Sequence, residues 1–293
     1  MLNSFDFRCG LQVDTLNTAI GGQNENSVFA PWAVSIGYYD EAGEYIHGCT
    51  GSVIAENVIL TAAHCTLRNF NIVRVGVKDL RFSGSTDLEI QDILIYPEYN
   101  ASQNYNDIAL LFLKTCLAFS YNTIQPICLP TKSQPNPDSM VGFTVATQGW
   151  GLDSNGQVGQ LINQISVTVR SREECNFKYQ SVQAKLKKLA IELQLPNNFN
   201  PPVIFCAAHT TNKNIGTCKG DSGGPSFRRC NRTISSMIQY LSISNIFRIF
   251  SAEERSDRFT IEGVVSGNSD GVDCSGTLPD FYTLVAHEKV TLE

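Results

Sequence analysis

The stretch Gly220-Asp221-Ser222-Gly223-Gly224-Pro225 constrains this chain more than any other. Glycines on both sides of one serine allow backbone angles at which two N–H groups converge on a single oxygen beside an attacking hydroxyl. Taken alone, the hexamer also reads as a tight turn. Serine becomes a useful nucleophile only when an imidazole takes its proton and a buried carboxylate holds that imidazole in the right tautomer. The partners elsewhere in the chain therefore decide between the two readings.

Two upstream segments supply those partners. Ile59-Leu60-Thr61-Ala62-Ala63-His64-Cys65 places a histidine directly after a short apolar run. Asn106-Asp107-Ile108-Ala109-Leu110-Leu111 places an aspartate at the head of an apolar strand, where burial without a partner is costly. Each alone has an ordinary structural reading, the first as a core histidine and the second as a turn or cap residue. Together, in the order His, Asp, Ser, they form the set that nucleophilic acyl transfer requires.

On these residues the chain resembles the trypsin/chymotrypsin family of serine proteases, from about Ala19 to Lys289. Further matching landmarks are Pro31-Trp32, Pro126-Ile127-Cys128-Leu129-Pro130, Gly149-Trp150-Gly151 and Gly263-Val264-Val265-Ser266. The resemblance implies Ser222 as nucleophile, His64 as general base and then acid, Asp107 as its orienter, and an oxyanion hole from the N–H groups of Gly220 and Ser222. It also implies an all-β fold of two packed antiparallel six-stranded β-barrels with little helix. Strand-like runs at 57–60, 72–77, 108–113, 161–169 and 260–266, separated by Gly, Asn and Pro turns, agree with that class. No cofactor or metal is expected, and Val77 stands where calcium-binding relatives carry an acid.

Only 17% of residues are charged and 42% are hydrophobic, so the chain can bury a large core. A net charge of −6 offers no basic stripe for nucleic acid, and no apolar stretch approaches a membrane span. Ten cysteines point to an oxidising compartment. The resemblance implies the pairs Cys9–Cys128, Cys49–Cys65, Cys175–Cys206 and Cys218–Cys274. Cys116 and Cys230 remain; they pair with each other, bond to another domain, or stay free, and the expectation is Cys116–Cys230.

Residues 1–18 are expected to be an upstream remnant tethered by Cys9, and 19–293 the protease domain. Met1–Arg8 lacks the apolar core of a signal peptide, yet the cysteines and the sequons at Asn100 and Asn231 have a secretory character. The expectation is an extracellular, glycosylated protein of which this chain is a part, and whose C-terminal helix is truncated at Glu293. The resemblance further implies a zymogen: cleavage after Thr18 frees the α-amino group of Ala19, which pairs with Asp221 and orders the oxyanion hole and pocket. Thr18 is neither Arg nor Lys, so trypsin-like activators are not expected to cut there.

The expected substrate pocket comprises Gly216, Thr217, Ser266, Gly267, Asn268 and Asp280. Gly216 occupies the pocket base where trypsins carry Asp, while Asp280 lies on the wall, either facing a basic substrate side chain or satisfied internally. Ser266-Gly267-Asn268 lacks the aromatic residue usual in the strand that pairs with substrate. Turnover is therefore expected to be selective.

Two insertions, at about 177–203 and 227–258, lengthen surface loops. The first carries an amphipathic pattern over Val182–Leu193 that predicts a short helix, either covering the barrel or docking a partner. With the Cys9-Gly10 opening and the non-basic activation site, these features resemble arthropod modular serine proteases of haemolymph immune cascades. That likeness implies a downstream protease zymogen as substrate and serpin-type inhibitors as partners. The alternative class is a protease-fold binding protein without activity.

Overall fold

A computed structural model of the chain describes residues 9–11, 30–82, 84–102, 105–120, 123–130, 137–152, 156–187, 204–209, 216–230, 258–267 and 279–285. The first half forms β1 (Ala33–Tyr39), β2 (Tyr45–Ala55), β3 (Val58–Thr61), β4 (Ile72–Val75), β5 (Thr86–Ile95) and β6 (Ala109–Leu113). The second half forms β7 (Thr144–Gly149), β8 (Asn163–Val169), β9 (Ile204–Ala208), β10 (Pro225–Cys230), β11 (Arg258–Gly267) and β12 (Asp280–Leu284). Each set closes into one six-stranded barrel, in the order β1-β2-β3-β6-β5-β4 and β10-β11-β12-β9-β8-β7. Among the described residues, closure leaves no unpaired strand edge, and the fold is the one the resemblance implied.

Aromatic residues join the barrels. The Trp32 ring, 2% exposed, meets Phe227 of β10 edge-on at 5.3 Å, and Phe227 meets Phe259 of β11 at 5.6 Å. Ile127, on the segment that crosses between the barrels, is buried in the same cluster. Each such side chain removed from water contributes roughly 1.5–3 kcal/mol. Inside the second barrel, Phe205 and Tyr282 stack at 5.0 Å among Val145, Val167 and Val265. This shared core fixes the two barrels against each other, and with them the loops that face the cleft.

Disulfides join Cys9 to Cys128, Cys49 to Cys65 and Cys175 to Cys206. Around the first, the Gly10 N–H donates to the Pro126 carbonyl at 2.8 Å and the Gly10 carbonyl accepts from Phe259 at 2.9 Å. Residues 9–11 are thereby held against β11. Cys218 is disulfide-bonded, and its expected partner Cys274 lies outside the described residues. The expected Cys116–Cys230 bridge is corrected: Cys116 is a free, exposed thiol. Its loop follows β6 and is pinned to the first barrel by Leu117 N–H donating to Glu56 at 2.6 Å, whereas Cys230 ends β10 of the second barrel.

The predicted helix starts earlier than the amphipathic pattern indicated. The helix α1 runs Arg172–Lys187. Ser171 caps it, its Oγ accepting from Glu174 N–H at 3.2 Å, and Glu173 and Glu174 place negative charge in the first turn. That capping signal outweighs the weak hydrophobic periodicity of its first turns. Residues 188–203 of this insertion and 231–257 of the other lie outside the described residues.

Candidate active site

Strand register brings His64 and Asp107 together. β3 pairs with β6 antiparallel, with Thr61 opposite Ala109, so the residues just after β3 face those just before β6. His64 sits in a short 3-10 turn, Ala63–Leu67, that follows β3. Asn106 adopts a left-handed φ of 53°, tolerable for Asn, and its side-chain amide donates to Glu98 at 2.9 Å. That bend turns Asp107 inward, where it is fully buried.

The Asp107 carboxylate accepts three hydrogen bonds. The His64 backbone N–H donates at 2.8 Å, His64 Nδ1 at 2.7 Å, and the Ser266 hydroxyl donates to the same oxygen as Nδ1. A carboxylate only accepts, so Nδ1 carries the proton and the lone pair of the neutral ring resides on Nε2. The pairing of Ser266 with Asp107 was not legible from sequence, which had assigned Ser266 to the substrate pocket alone.

Ser222 lies across the cleft on the loop that leads into β10. Its carbonyl accepts from Thr50 N–H at 2.8 Å, and the Gly220 carbonyl accepts from Thr50 Oγ1 at 2.9 Å. Gly223 is held with φ 82°, and a Cβ there would lie 2.1 Å from Thr61 Oγ1, so only glycine lets the loop pack so close to β3. Sγ of Cys65 stands 3.8 Å from His64 Nε2 and 3.6 Å from the Ser222 carbonyl oxygen. A disulfide sulfur carries no proton, but these two distances set the imidazole and the serine on either side of one atom. Among the described residues, neither Gly220 N–H nor Ser222 N–H has an acceptor.

Asp221 points away from the cleft. Its two oxygens accept from Gly151 N–H at 2.8 Å and Cys218 N–H at 2.9 Å. Burial pushes its carboxyl up to about 6, against the opposing pull of those two donors. Ala19, its expected partner, lies outside the described residues.

A buried histidine that sequence reasoning missed braces the same loop. His47 Nε2 donates to the Gly220 carbonyl at 3.1 Å, and Nδ1 accepts from Ser35 Oγ at 2.7 Å, which in turn meets Tyr45 Oη at 2.8 Å. Burial lowers the His47 pKa to about 4, so the ring is neutral near pH 7. Its place two residues before Cys49, in an otherwise uncharged strand, was the available signal.

Of the expected pocket residues, Gly216 is partly exposed and Thr217 buried. Asp280, 3% exposed at the start of β12, accepts from Thr217 N–H at 2.7 Å, so at least one oxygen is engaged internally. Gly267 pairs with Phe281, and a Cβ on it would enter the Phe281 ring at 2.5 Å. Asn268 and the sequon at Asn231 lie outside the described residues. Asn100 is exposed, with its Oδ1 accepting from Ser102 Oγ at 2.7 Å. Val77 is buried against Leu80, Trp150 and Ile162. Sγ atoms of Cys49 and Cys65 lie within 4.8 Å of a His64 ring nitrogen, but sulfurs joined in a disulfide supply no thiolate for an ion.

Comparison with known proteins identifies the family. The family profile described as Trypsin matches residues 19–289. The chain is 30% identical to the CLIP domain-containing serine protease B4 of Anopheles gambiae, over 75% of this chain and 61% of that protein. It is 29% identical to phenoloxidase-activating factor 1 of Holotrichia diomphalia, over 74% of this chain and 60% of that protein. A third relative is a venom protease of Bombus pensylvanicus, 28% identical over 70% of this chain and 80% of its own. The match spans about three fifths of the length of the first two. A profile match over nearly the whole chain, on a pair of six-stranded barrels with His64, Asp107 and Ser222 at their junction, means that this chain belongs to the trypsin family of serine proteases.

Proposed function

We propose that the chain is the protease unit of an extracellular serine endopeptidase that works through an acyl-enzyme. Ser222 Oγ attacks the scissile carbonyl carbon while its proton passes to His64 Nε2, and buried Asp107 stabilises the imidazolium that results. The N–H groups of Gly220 and Ser222 receive the oxyanion. The tetrahedral species collapses as His64 returns the proton to the leaving amine; a water deprotonated by His64 then releases the acyl group. The observation that carries this reading is the Cys65 sulfur within 3.8 Å of Nε2 and 3.6 Å of Ser222, with Asp107 fixing the ring from behind.

Activity begins, on this reading, when cleavage after Thr18 lets the Ala19 amino group neutralise Asp221. The substrate is a protein, selected through a pocket with Gly216 at its base and Asp280 on its wall. Relatives named as phenoloxidase-activating factors support a place in a proteolytic cascade, with a downstream zymogen as substrate and serpins as inhibitors. A fluorophosphonate probe tests the core of the proposal. Protein cut at Thr18-Ala19 is expected to take up one probe at Ser222, and absence of label on folded, correctly cut protein overturns the reading.

A further inference from the structure

Lys78, Asp79 and Leu80, which follow β4 of the first barrel, run antiparallel to Gln160, Leu161 and Ile162, which lead into β8 of the second. The Leu80 N–H donates to the Gln160 carbonyl at 2.8 Å, the Ile162 N–H donates to the Lys78 carbonyl at 2.8 Å, and the Trp150 indole N–H donates to that same carbonyl at 3.0 Å. Asp79 faces Leu161 between them. Val77 and Leu80 from one barrel and Trp150 and Ile162 from the other are buried in a single apolar cluster. The Leu80 carbonyl accepts from Arg74 Nη1 at 2.8 Å, and Asp87 holds the rest of that guanidinium. Leu80 is thus fixed at both of its backbone groups.

The two residues after Trp150 carry this contact to the loop before Ser222. The Gly151 N–H donates to Asp221 at 2.8 Å, and the Leu152 N–H donates to the Lys219 carbonyl at 2.9 Å. Backbone lies directly on backbone here: a Cβ on Gly151 would stand 2.2 Å from an Asp221 carboxylate oxygen, and one on Gly220 would stand 3.0 Å from the Gly151 Cα. Gly220 therefore has both of its chain neighbours, Lys219 and Asp221, held by Gly151 and Leu152. A shift of about 1 Å in groups that position reacting atoms can cost roughly 100-fold in rate.

We propose that Leu80 is a positioning residue for the oxyanion hole, acting from the first barrel through the cluster that seats Trp150. The proposal rests on the endopeptidase reading above, which gives the Gly220 N–H to the oxyanion. Val77 and Leu80 supply the first-barrel half of the cluster, and Trp150 passes the constraint along its own backbone to Gly151 and Leu152. The direction of the Gly220 N–H is then set by packing between the barrels as well as by the charge on Asp221. Truncating Leu80 removes atoms that the cluster packs against and leaves a void, because surrounding structure relaxes only in part. The segment at 150–152 gains room to move, while every group that meets substrate in the proposed mechanism stays in the chain.

The test compares Leu80→Ala with Leu113→Ala, which truncates another buried side chain of the first barrel, at the end of β6 away from Asp107. Both are cut at Thr18-Ala19 and assayed on a library-selected internally quenched peptide, well below their thermal midpoints. Leu80→Ala is expected to lose about tenfold in kcat with KM within about twofold of wild type, Leu80→Met to recover to within about threefold, and Leu113→Ala to keep kcat within about twofold. Equal kcat losses in the two alanine variants, or a Leu80→Ala loss confined to KM, overturns the proposal. Hydrogen exchange on uncut protein supplies a readout that needs no turnover. The amides of Gly151, Leu152 and Asp221 are expected to exchange about tenfold faster in Leu80→Ala and at the wild-type rate in Leu113→Ala; unchanged exchange in Leu80→Ala also overturns the proposal. Should Leu80→Ala not fold, Leu80→Val takes its place, with effects of about threefold and the same criteria. Should wild type cut nothing while exchange at Asp221 still follows Leu80, the endopeptidase reading falls and the coupling of Leu80 to this loop stands.

Discussion

The Ser266 hydroxyl donates a hydrogen bond to Asp107 at the same oxygen that holds His64 Nδ1. One bond thus reaches the expected catalytic carboxylate from the second barrel and two from the first. Removing the Ser266 donor leaves a fully buried carboxylate less well satisfied and the imidazole less firmly aimed. Hydrogen bonds to charged groups are worth about 1.5–3 kcal/mol. Ser266→Ala is therefore expected to lower kcat by roughly tenfold or more with little change in KM. A rise in KM at constant kcat would reassign Ser266 to substrate binding alone.

Asp221 and His47 flank the Gly220 carbonyl and titrate in opposite senses. Asp221 rises from 3.8 to about 6, so between these values the folded chain holds a proton that the unfolded chain has lost; its contribution, complete below pH 3.8, is lost as pH rises through 6. His47 falls from 6.5 to about 4, so its contribution is complete above pH 6.5 and is lost as pH falls through 4. Each amounts to about 3 kcal/mol, and the two nearly cancel between pH 4 and 6. Uncut wild-type protein should show a shallow stability profile there. Chemical denaturation of Asp221→Asn should reveal stability rising with pH, and of His47→Gln stability falling; parallel profiles for the two variants would contradict this account.

The residues proposed to carry the chemistry stood out because nucleophilic acyl transfer needs three residue types together, and Gly220–Pro225, His64 and Asp107 stand in the order that the resembled family uses. His47 was passed over although its place two residues before Cys49 in an otherwise uncharged strand was a signal, and Ser266 was read only as a pocket residue because nothing around it in sequence marks it as a partner of Asp107. Among strands, 108–113 declared itself by a continuous apolar run, Ile108-Ala109-Leu110-Leu111-Phe112-Leu113. β5 did not: Thr86–Ile95 carries Asp87, Glu89, Gln91 and Asp92, and its membership of the barrel comes from pairing with β4 and β6 rather than from its own pattern. The start of α1 followed the capping serine, a short-range signal that the search for amphipathic spacing passed over. Three expected cysteine pairs, Cys9–Cys128, Cys49–Cys65 and Cys175–Cys206, are present, whereas the expectation failed at Cys116, which no landmark accompanied.

Asp280 sets a sharper test of specificity. Its carboxylate is buried and takes the Thr217 N–H at 2.7 Å, which aims it from β12 at the loop that carries Gly216. If its charge also meets a basic substrate side chain, Asp280→Asn should lower kcat/KM for peptides with Arg at the cleaved position by roughly 30- to 100-fold relative to Leu, as loss of a desolvated charge partner implies. An unchanged Arg-to-Leu ratio in matched peptides would make Asp280 a purely internal acceptor.

Cys116 and the Cys49–Cys65 pair should respond oppositely to chemical change. The Cys116 thiol is exposed on the loop after β6, near the surface pair of Lys114 and Glu89 at 2.5 Å. Native protein should react with one maleimide at this residue, located by peptide mapping, and Cys116→Ser should abolish that label without moving the thermal midpoint. Cys49 and Cys65, separated by 16 residues, close a loop that ends beside His64. Cross-linking a loop of about that length is worth roughly 3 kcal/mol, so Cys49→Ser/Cys65→Ser should lower the midpoint by several degrees and loosen the turn that aims the imidazole. Recovery of Cys116 in a peptide disulfide-linked to Cys230 would overturn the assignment of a free thiol.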